Sequence, residues 1–238
     1  MNKPGLLFLI LLILFVSNGL HGAAPGGSGP GLLKQNVQDT IKTRQALYNG
    51  ILWKNMYHRI KNDQFLFTDF FLTGNLTING QTFENKRLRY DIFSDELTIP
   101  LNRDDIVQLN KEMVDSFTLN FDSKLYRFIN IKDEALKSLK GYVNVLYKGK
   151  SALYVKYKKD ISQNVTETSD GEFFETTRIY LVLNGICYPV NRTSDLFKFT
   201  KDDKEQIRDF IKKTKLKVSK KKPESFIPVL RFYDSINQ

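Results

Sequence analysis

Apolar and polar residues alternate along the middle of the chain. Leu88, Tyr90 and Ile92 alternate with Arg87, Arg89 and Asp91. Phe117, Leu119 and Phe121 alternate with Thr118 and Asn120, and Leu153, Val155 and Tyr157 with Tyr154, Lys156 and Lys158. A period of two places each set on its own face of a strand. One apolar face and one wet face is the signature of antiparallel sheet. Turn dipeptides separate these runs. Asn79-Gly80 lies between Leu76-Thr77-Ile78 and Thr82-Phe83, and Asn184-Gly185 between Ile179–Leu183 and Ile186-Cys187-Tyr188. Asn-Gly accepts positive φ at both central positions of a type I′ turn, whose twist matches that of the flanking strands. Lys148-Gly149 and Asp122-Ser123 mark two further hairpins. Consecutive hairpins predict a mainly β protein, an antiparallel meander forming a barrel, half-barrel or sandwich.

The period changes after residue 193. Ile207, Phe210 and Ile211 follow at helical spacing behind Thr200-x-x-Asp203, which resembles a capping box with Asp in place of Glu. Pro223 opens a second helix that carries Phe226, Val229, Leu230 and Tyr233 on one face. These C-terminal helices are expected to pack on the sheet.

At the other end, Met1–Gly5 with Lys3 precedes an unbroken apolar run from Leu6 to Val16 and a small, polar stretch from Ser17 to Ala24. That order is a secretory signal peptide, and the run is shorter than the ~20 residues a spanning helix needs. The expected organisation is a signal peptide over 1–24 and a flexible tether with an N-terminal segment over 25–47. An antiparallel β domain follows over 48–193, and a helical segment over 194–238 packs on the same domain. No second long apolar run follows, so no transmembrane span is expected after cleavage.

Composition narrows the chemistry. A single Cys excludes a disulfide framework and a Cys-based zinc site. Two His leave little room for His-based catalysis: His21 falls in the signal, and His58 has no nucleophile signature beside it. Neither a Gly-rich phosphate loop nor an EF-hand loop is present, and no metal or cofactor is expected. Cys187 lies in a strand before Pro189 and reads as a buried or half-buried thiol. Three groups of candidates remain. Asp91, Asp95 and Glu96 could serve as paired carboxylates of a hydrolase, although a polar turn with Asp91 bonding backbone amides explains the first of them. Tyr48, Trp53 and Tyr57 could form a stacking platform for an apolar ligand or glycan, or belong to the core. The third group is a run of seven lysines without an acidic residue: Lys212, Lys213, Lys215, Lys217, Lys220, Lys221 and Lys222. It supplies much of the formal charge of +10 and would suit an anionic envelope surface. Nucleic acid is not an expected partner of an exported chain.

Several blocks resemble a family. They are Tyr48-Asn49-Gly50-x-Leu52-Trp53, Asp63-Gln64-Phe65-Leu66-Phe67, Gly74-x-Leu76-Thr77-x-x-Gly80, Tyr90-Asp91-Ile92-x-x-Asp95-Glu96-Leu97, and Gly141-Tyr142-x-x-Val145-Leu146-Tyr147-x-Gly149-Lys150. They are similar to recurring blocks of uncharacterised exported proteins of Bacteroidota-type Gram-negative bacteria, over roughly residues 48–235. The resemblance implies a compartment, namely periplasm, outer membrane or cell exterior, and carries no functional residue with it. The expected role is a non-enzymatic binding or accessory protein of the cell envelope. A carboxylate-based hydrolase and a structural or adhesion component are the alternatives.

Overall fold

The computed structural model describes residues 41–42, 44–162, 170–200 and 203–237. The expected signal peptide over 1–24 and residues 25–40 of the expected tether lie outside the described residues. From Lys42 onward the chain forms one compact unit.

Eleven strands make one antiparallel sheet: β1 (Gly50–Leu52), β2 (Leu72–Ile78), β3 (Gln81–Asp91), β4 (Glu96–Pro100), β5 (Ile106–Leu109), β6 (Val114–Phe121), β7 (Lys124–Ile131), β8 (Gly141–Lys148), β9 (Ala152–Ser162), β10 (Glu172–Leu183) and β11 (Ile186–Pro189). Their order is β1-β5-β4-β3-β2-β6-β7-β8-β9-β10-β11. The sheet is open, with β1 and β11 at its two ends, which fits a half-barrel or sandwich rather than a closed barrel. The expected hairpins form. Asn79 and Gly80 have φ of 47° and 78°, Asn184 and Gly185 of 51° and 75°, and Asp122 and Ser123 of 49° and 57°.

The meander is broken at two points, the first where β1 pairs with β5 rather than with β2. At the second, β5 does not pair with β6; β6 instead returns across the sheet to pair with β2, Leu76 facing Phe117. No hairpin dipeptide separates Leu109 from Val114. A single 3-10 turn over Lys111–Met113 lies there, capped by the Asn110 side chain accepting from the Glu112 N–H. The Met113 carbonyl accepts from Asn79 N–H, and Asp115 accepts from Gly80 N–H, so the β5–β6 connection is fastened to the β2–β3 turn. Two meanders, β2–β5 and β6–β11, are thereby joined through the β2–β6 pair.

Cross-strand pairing defines a continuous inner face. Phe117 faces Phe128, Phe128 faces Asn144, Asn144 faces Val155 and Val155 faces Ile179. Around β2–β7 this face is filled by a core that includes Leu76, Leu88, Tyr90, Leu97, Phe117 and Phe128. Around β9 and β10 the C-terminal helices cover it: α1 (Thr193–Phe199), α2 (Lys204–Thr214) and α3 (Ile227–Ile236). Leu196, Ile207, Phe226, Val229 and Leu230 pack there against Leu153, Val155, Ile179 and Leu181. Thr200 and Asp203 do not form the expected capping box. Thr200 instead ends α1, its hydroxyl donating to the Leu196 carbonyl. The box-like contact lies one helix earlier, where the Asp195 carboxylate accepts from the N–H groups of Asn191 and Arg192.

The outer face is not uniformly wet. Arg89, Asp91 and Tyr154 are buried. A 3-10 stretch over Glu134–Leu139 places Leu139 against Val143, Tyr154 and Tyr180. The irregular segment between β1 and β2 places Trp53, Phe65 and Phe71 over Arg89. Among the described residues no helix is long and apolar enough to cross a membrane.

Candidate ligand-binding groove

The inner face leaves a groove of about 1070 Å³ where it meets the C-terminal segment. Tyr126 of β7, Leu146 of β8, Val155 and Tyr157 of β9, and Thr177 of β10 line it on the sheet side. Their register places them there: Thr177 faces Tyr157 across the strand pair, and Val155 faces Asn144 and Ile179. A bulge between Val145 and Tyr147 turns β8 at the groove. The opposite lip is the loop from Val218 to Glu224 between α2 and α3. The Ser225 hydroxyl fixes this loop, donating to the carbonyls of Lys222 and Ser219 and accepting from Ser219 N–H. Lys124 pairs with Glu224 and ties the lip to β7.

The groove is cationic. Lys124 and Glu224 offset each other, and Arg192 sits 3.8 Å from Asp195. Arg178, Lys220 and Lys221 line the groove and make no ion pair among the described residues. Burial raises the Tyr157 phenol to about 12, so it stays a neutral hydroxyl in the physiological range. All seven lysines of the predicted basic run are exposed. The structure divides them. Lys212 and Lys213 lie in the last turn of α2, and Lys215 caps it with φ of 53°, whereas Lys220 and Lys221 line the groove.

The carboxylate candidates gather at the β3–β4 turn. Asp91 Oδ1 accepts from the N–H groups of Phe93 and Ser94, 2.9 Å each, and so closes the β3–β4 turn. Asp95, in a left-handed conformation at φ 61°, accepts from the Tyr90 hydroxyl at 2.6 Å and from Lys111 Nζ at 2.7 Å. Lys156 Nζ lies 3.7 Å from the same carboxylate. Gly141 makes this possible: its φ is +93°, and a Cβ there would stand 1.9 Å from Asp95 Oδ2. Burial, together with the Asp95 charge, raises the Tyr90 phenol well above its ordinary value. Glu96 is half-buried, and loss of solvent, partly opposed by Lys111, lifts its carboxyl to about 7. Asp91 and Asp95 are thus engaged in holding the turn and an ion-paired cluster, and only Glu96 has no such bond.

The aromatic candidates do not share a platform. Tyr48 packs against the core of β2–β7. Trp53 tilts against Phe65 at 6.0 Å and lies under Arg89, while Tyr57 meets Phe93 and Phe173 edge-on. His58 is exposed, and burial raises the Cys187 thiol to about 11. Among the described residues no three His, Cys, Asp or Glu side chains come together to hold a metal.

Arg89 was legible only as a wet-face residue. Its guanidinium stands 3.9 Å from the Phe65 ring centroid, 4.6 Å from Phe71 and 4.8 Å from Trp53. Among the described residues only Nη1 has a hydrogen-bond partner, the Asp69 carbonyl, while Nε and Nη2 are buried without one. Desolvation accordingly lowers its pKa, opposed by the nearby Asp69 and Asp91. Its contribution is mainly the filling of an aromatic slot. Arg89→Ala is expected to cost about 2–3 kcal/mol through the cavity and lost ring contacts, and Arg89→Met to stay within about 1 kcal/mol of the parent. Urea unfolding of the two variants separates packing from charge.

Comparison of the chain with protein-family models, curated proteins and solved structures finds no match.

Proposed function

We propose that this chain is an exported, non-enzymatic binding protein of the bacterial cell envelope, and that the groove between the inner sheet face and the C-terminal loop is its ligand site. The observation that carries this reading is the groove itself, large enough for a ligand, half apolar in its lining and edged by the unpaired cations Arg178, Lys220 and Lys221. Binding sites combine an apolar wall with a few convergent polar groups. A ligand with a negative group and a partly apolar body fits this lining. The export signal supports an envelope location, and the exposed lysines of 212–222 suit work near an anionic surface.

A fluorescent anionic probe tests the site. 8-Anilinonaphthalene-1-sulfonate should brighten on binding to the native protein. Thr177→Trp, which fills the groove with a residue favoured in strands, should abolish this while leaving the circular dichroism unchanged. Lys220→Gln with Lys221→Gln should weaken it and reduce its salt dependence. Equal probe binding by the native protein and T177W would overturn the assignment of the groove.

A further inference from the structure

One wall of the groove is an unfinished sheet edge. β10 runs from Glu172 to Leu183, but β11 pairs only with Tyr180–Leu183. Its first half therefore has β9 on one side and, among the described residues, no strand on the other. Two hydrogen bonds reveal which residues point outward there. Phe173 N–H donates to the Lys61 carbonyl, and the Ile179 carbonyl accepts from Val190 N–H. Within a strand, N–H and C=O of one residue point to the same side, and this side alternates along the chain. Glu175 and Thr177 thus direct both backbone groups outward, between the Lys61 contact and the Val190 contact. Neither has a backbone partner on that side among the described residues. The open window covers about five residues, or roughly 17 Å of extended chain.

The window opens into the groove, since Glu175, Thr176, Thr177 and Arg178 all line it. Unpaired strand edges accept an extended chain by main-chain pairing, and the side chains around the edge then set the sequence preference. Of the groove-lining side chains without an ion pair among the described residues, Glu175 in the window is acidic and is outnumbered by three cations. Arg178 lies on the edge strand, one residue out of phase with Thr177, and Lys220 and Lys221 stand on the opposite lip. An added strand would meet cations on both of its faces.

We propose that the occupant of the groove is an extended, acidic polypeptide segment that pairs with β10 through the backbone groups of Glu175 and Thr177. This deepens the groove reading given above and rests on it.

The test uses a fluorescein-labelled heptapeptide alternating Glu and Val, read by anisotropy on the purified protein. Three comparisons accompany it: a Lys/Val peptide, the Glu/Val peptide with all amides N-methylated, and the variant Thr177→Pro. Proline at an edge position with its N–H outward is tolerated and removes one donor from the window. The proposal expects binding of the Glu/Val peptide, at least tenfold weaker binding of the Lys/Val and N-methylated peptides, and a roughly tenfold loss in T177P. Equal binding of native and N-methylated peptides, or no effect of T177P, would overturn backbone pairing while leaving the groove as a site. Equal binding of the Lys/Val peptide would overturn the acidic preference. Failure of the peptide with retained probe binding, or affinity for phosphatidylglycerol vesicles in its place, would overturn the occupant alone. Loss of both peptide and probe binding would overturn the groove reading as well.

Discussion

Phe117→Ala should lower the free energy of unfolding by about 3–5 kcal/mol, the range for removing a buried ring that the surroundings cannot refill. Phe117 is 2% exposed. Its ring stacks on Phe128 at 4.7 Å and meets Tyr90 and Tyr142 edge-on at 5.4 and 5.1 Å. It also sits on β6 opposite Leu76 of β2, where the two meanders join. A cavity at this point loosens the three remaining rings together and weakens the one strand pair that, among the described residues, links the halves. Phe117→Leu retains most of the volume and should cost clearly less. Urea denaturation of the three proteins by tryptophan fluorescence and circular dichroism measures the difference. Non-coincident transitions in F117A would show the halves beginning to melt separately. A change below 1 kcal/mol would contradict the packing described here.

The second large effect is a pH dependence centred on Glu96. Its folded-state pKa is about 7 against an ordinary 4.5, because loss of solvent penalises the charged form more than Lys111 favours it. The sign follows from proton binding. Below pH 4.5 the carboxyl is neutral in both states and imposes no penalty. Between 4.5 and 7 the unfolded chain ionises while the folded one keeps its proton, so stability falls as pH rises. Above 7 the penalty is complete, on the order of 1–2 kcal/mol once screening by the solvent that still reaches this half-buried group is allowed for. Glu96→Gln stays uncharged throughout. The difference in unfolding free energy between E96Q and the native protein should therefore grow in favour of E96Q from pH 4.5 to 7 and then level off. Denaturant midpoints at five pH values measure it, and a flat difference would remove Glu96 from this role.

Legibility in the sequence followed how local each feature is. The hairpins were readable because an Asn-Gly pair carries its own backbone preference, whatever surrounds it. Phe226, Val229 and Leu230 were readable because one helix face repeats within a few residues. Arg89 was misplaced on a wet face, since alternation reports which side of the strand a residue takes and not what covers that side. The cover comes from Trp53, Phe65 and Phe71, in a segment with no period. The β5–β6 break left only a negative trace, the lack of a turn dipeptide between Leu109 and Val114.

The groove was the least legible part. Tyr126, Leu146, Tyr157 and Thr177 come from four strands and meet only through register, and Lys220 approaches them from the far end of the chain. The lysine run itself was plain in the sequence. That Lys220 and Lys221 line a groove while Lys212 and Lys213 end a helix depends on the loop that Ser225 fixes. The carboxylates show the reverse case. Asp91, Asp95 and Glu96 are close in sequence, yet Asp91 holds a turn and Asp95 an ion-paired cluster, because the left-handed backbone at Asp95 and the missing side chain at Gly141 turn Asp95 toward Lys111.

Amide hydrogen exchange on the native protein tests the central claim, that ligands occupy the groove along the free edge of β10. Exchange is followed with and without saturating Glu/Val heptapeptide. The account predicts that the Glu175 and Thr177 amides, which point outward and exchange quickly alone, become protected, together with amides of the Val218–Glu224 lip. Unchanged exchange at Glu175 and Thr177 under saturation, with protection arising elsewhere on the sheet, would contradict it.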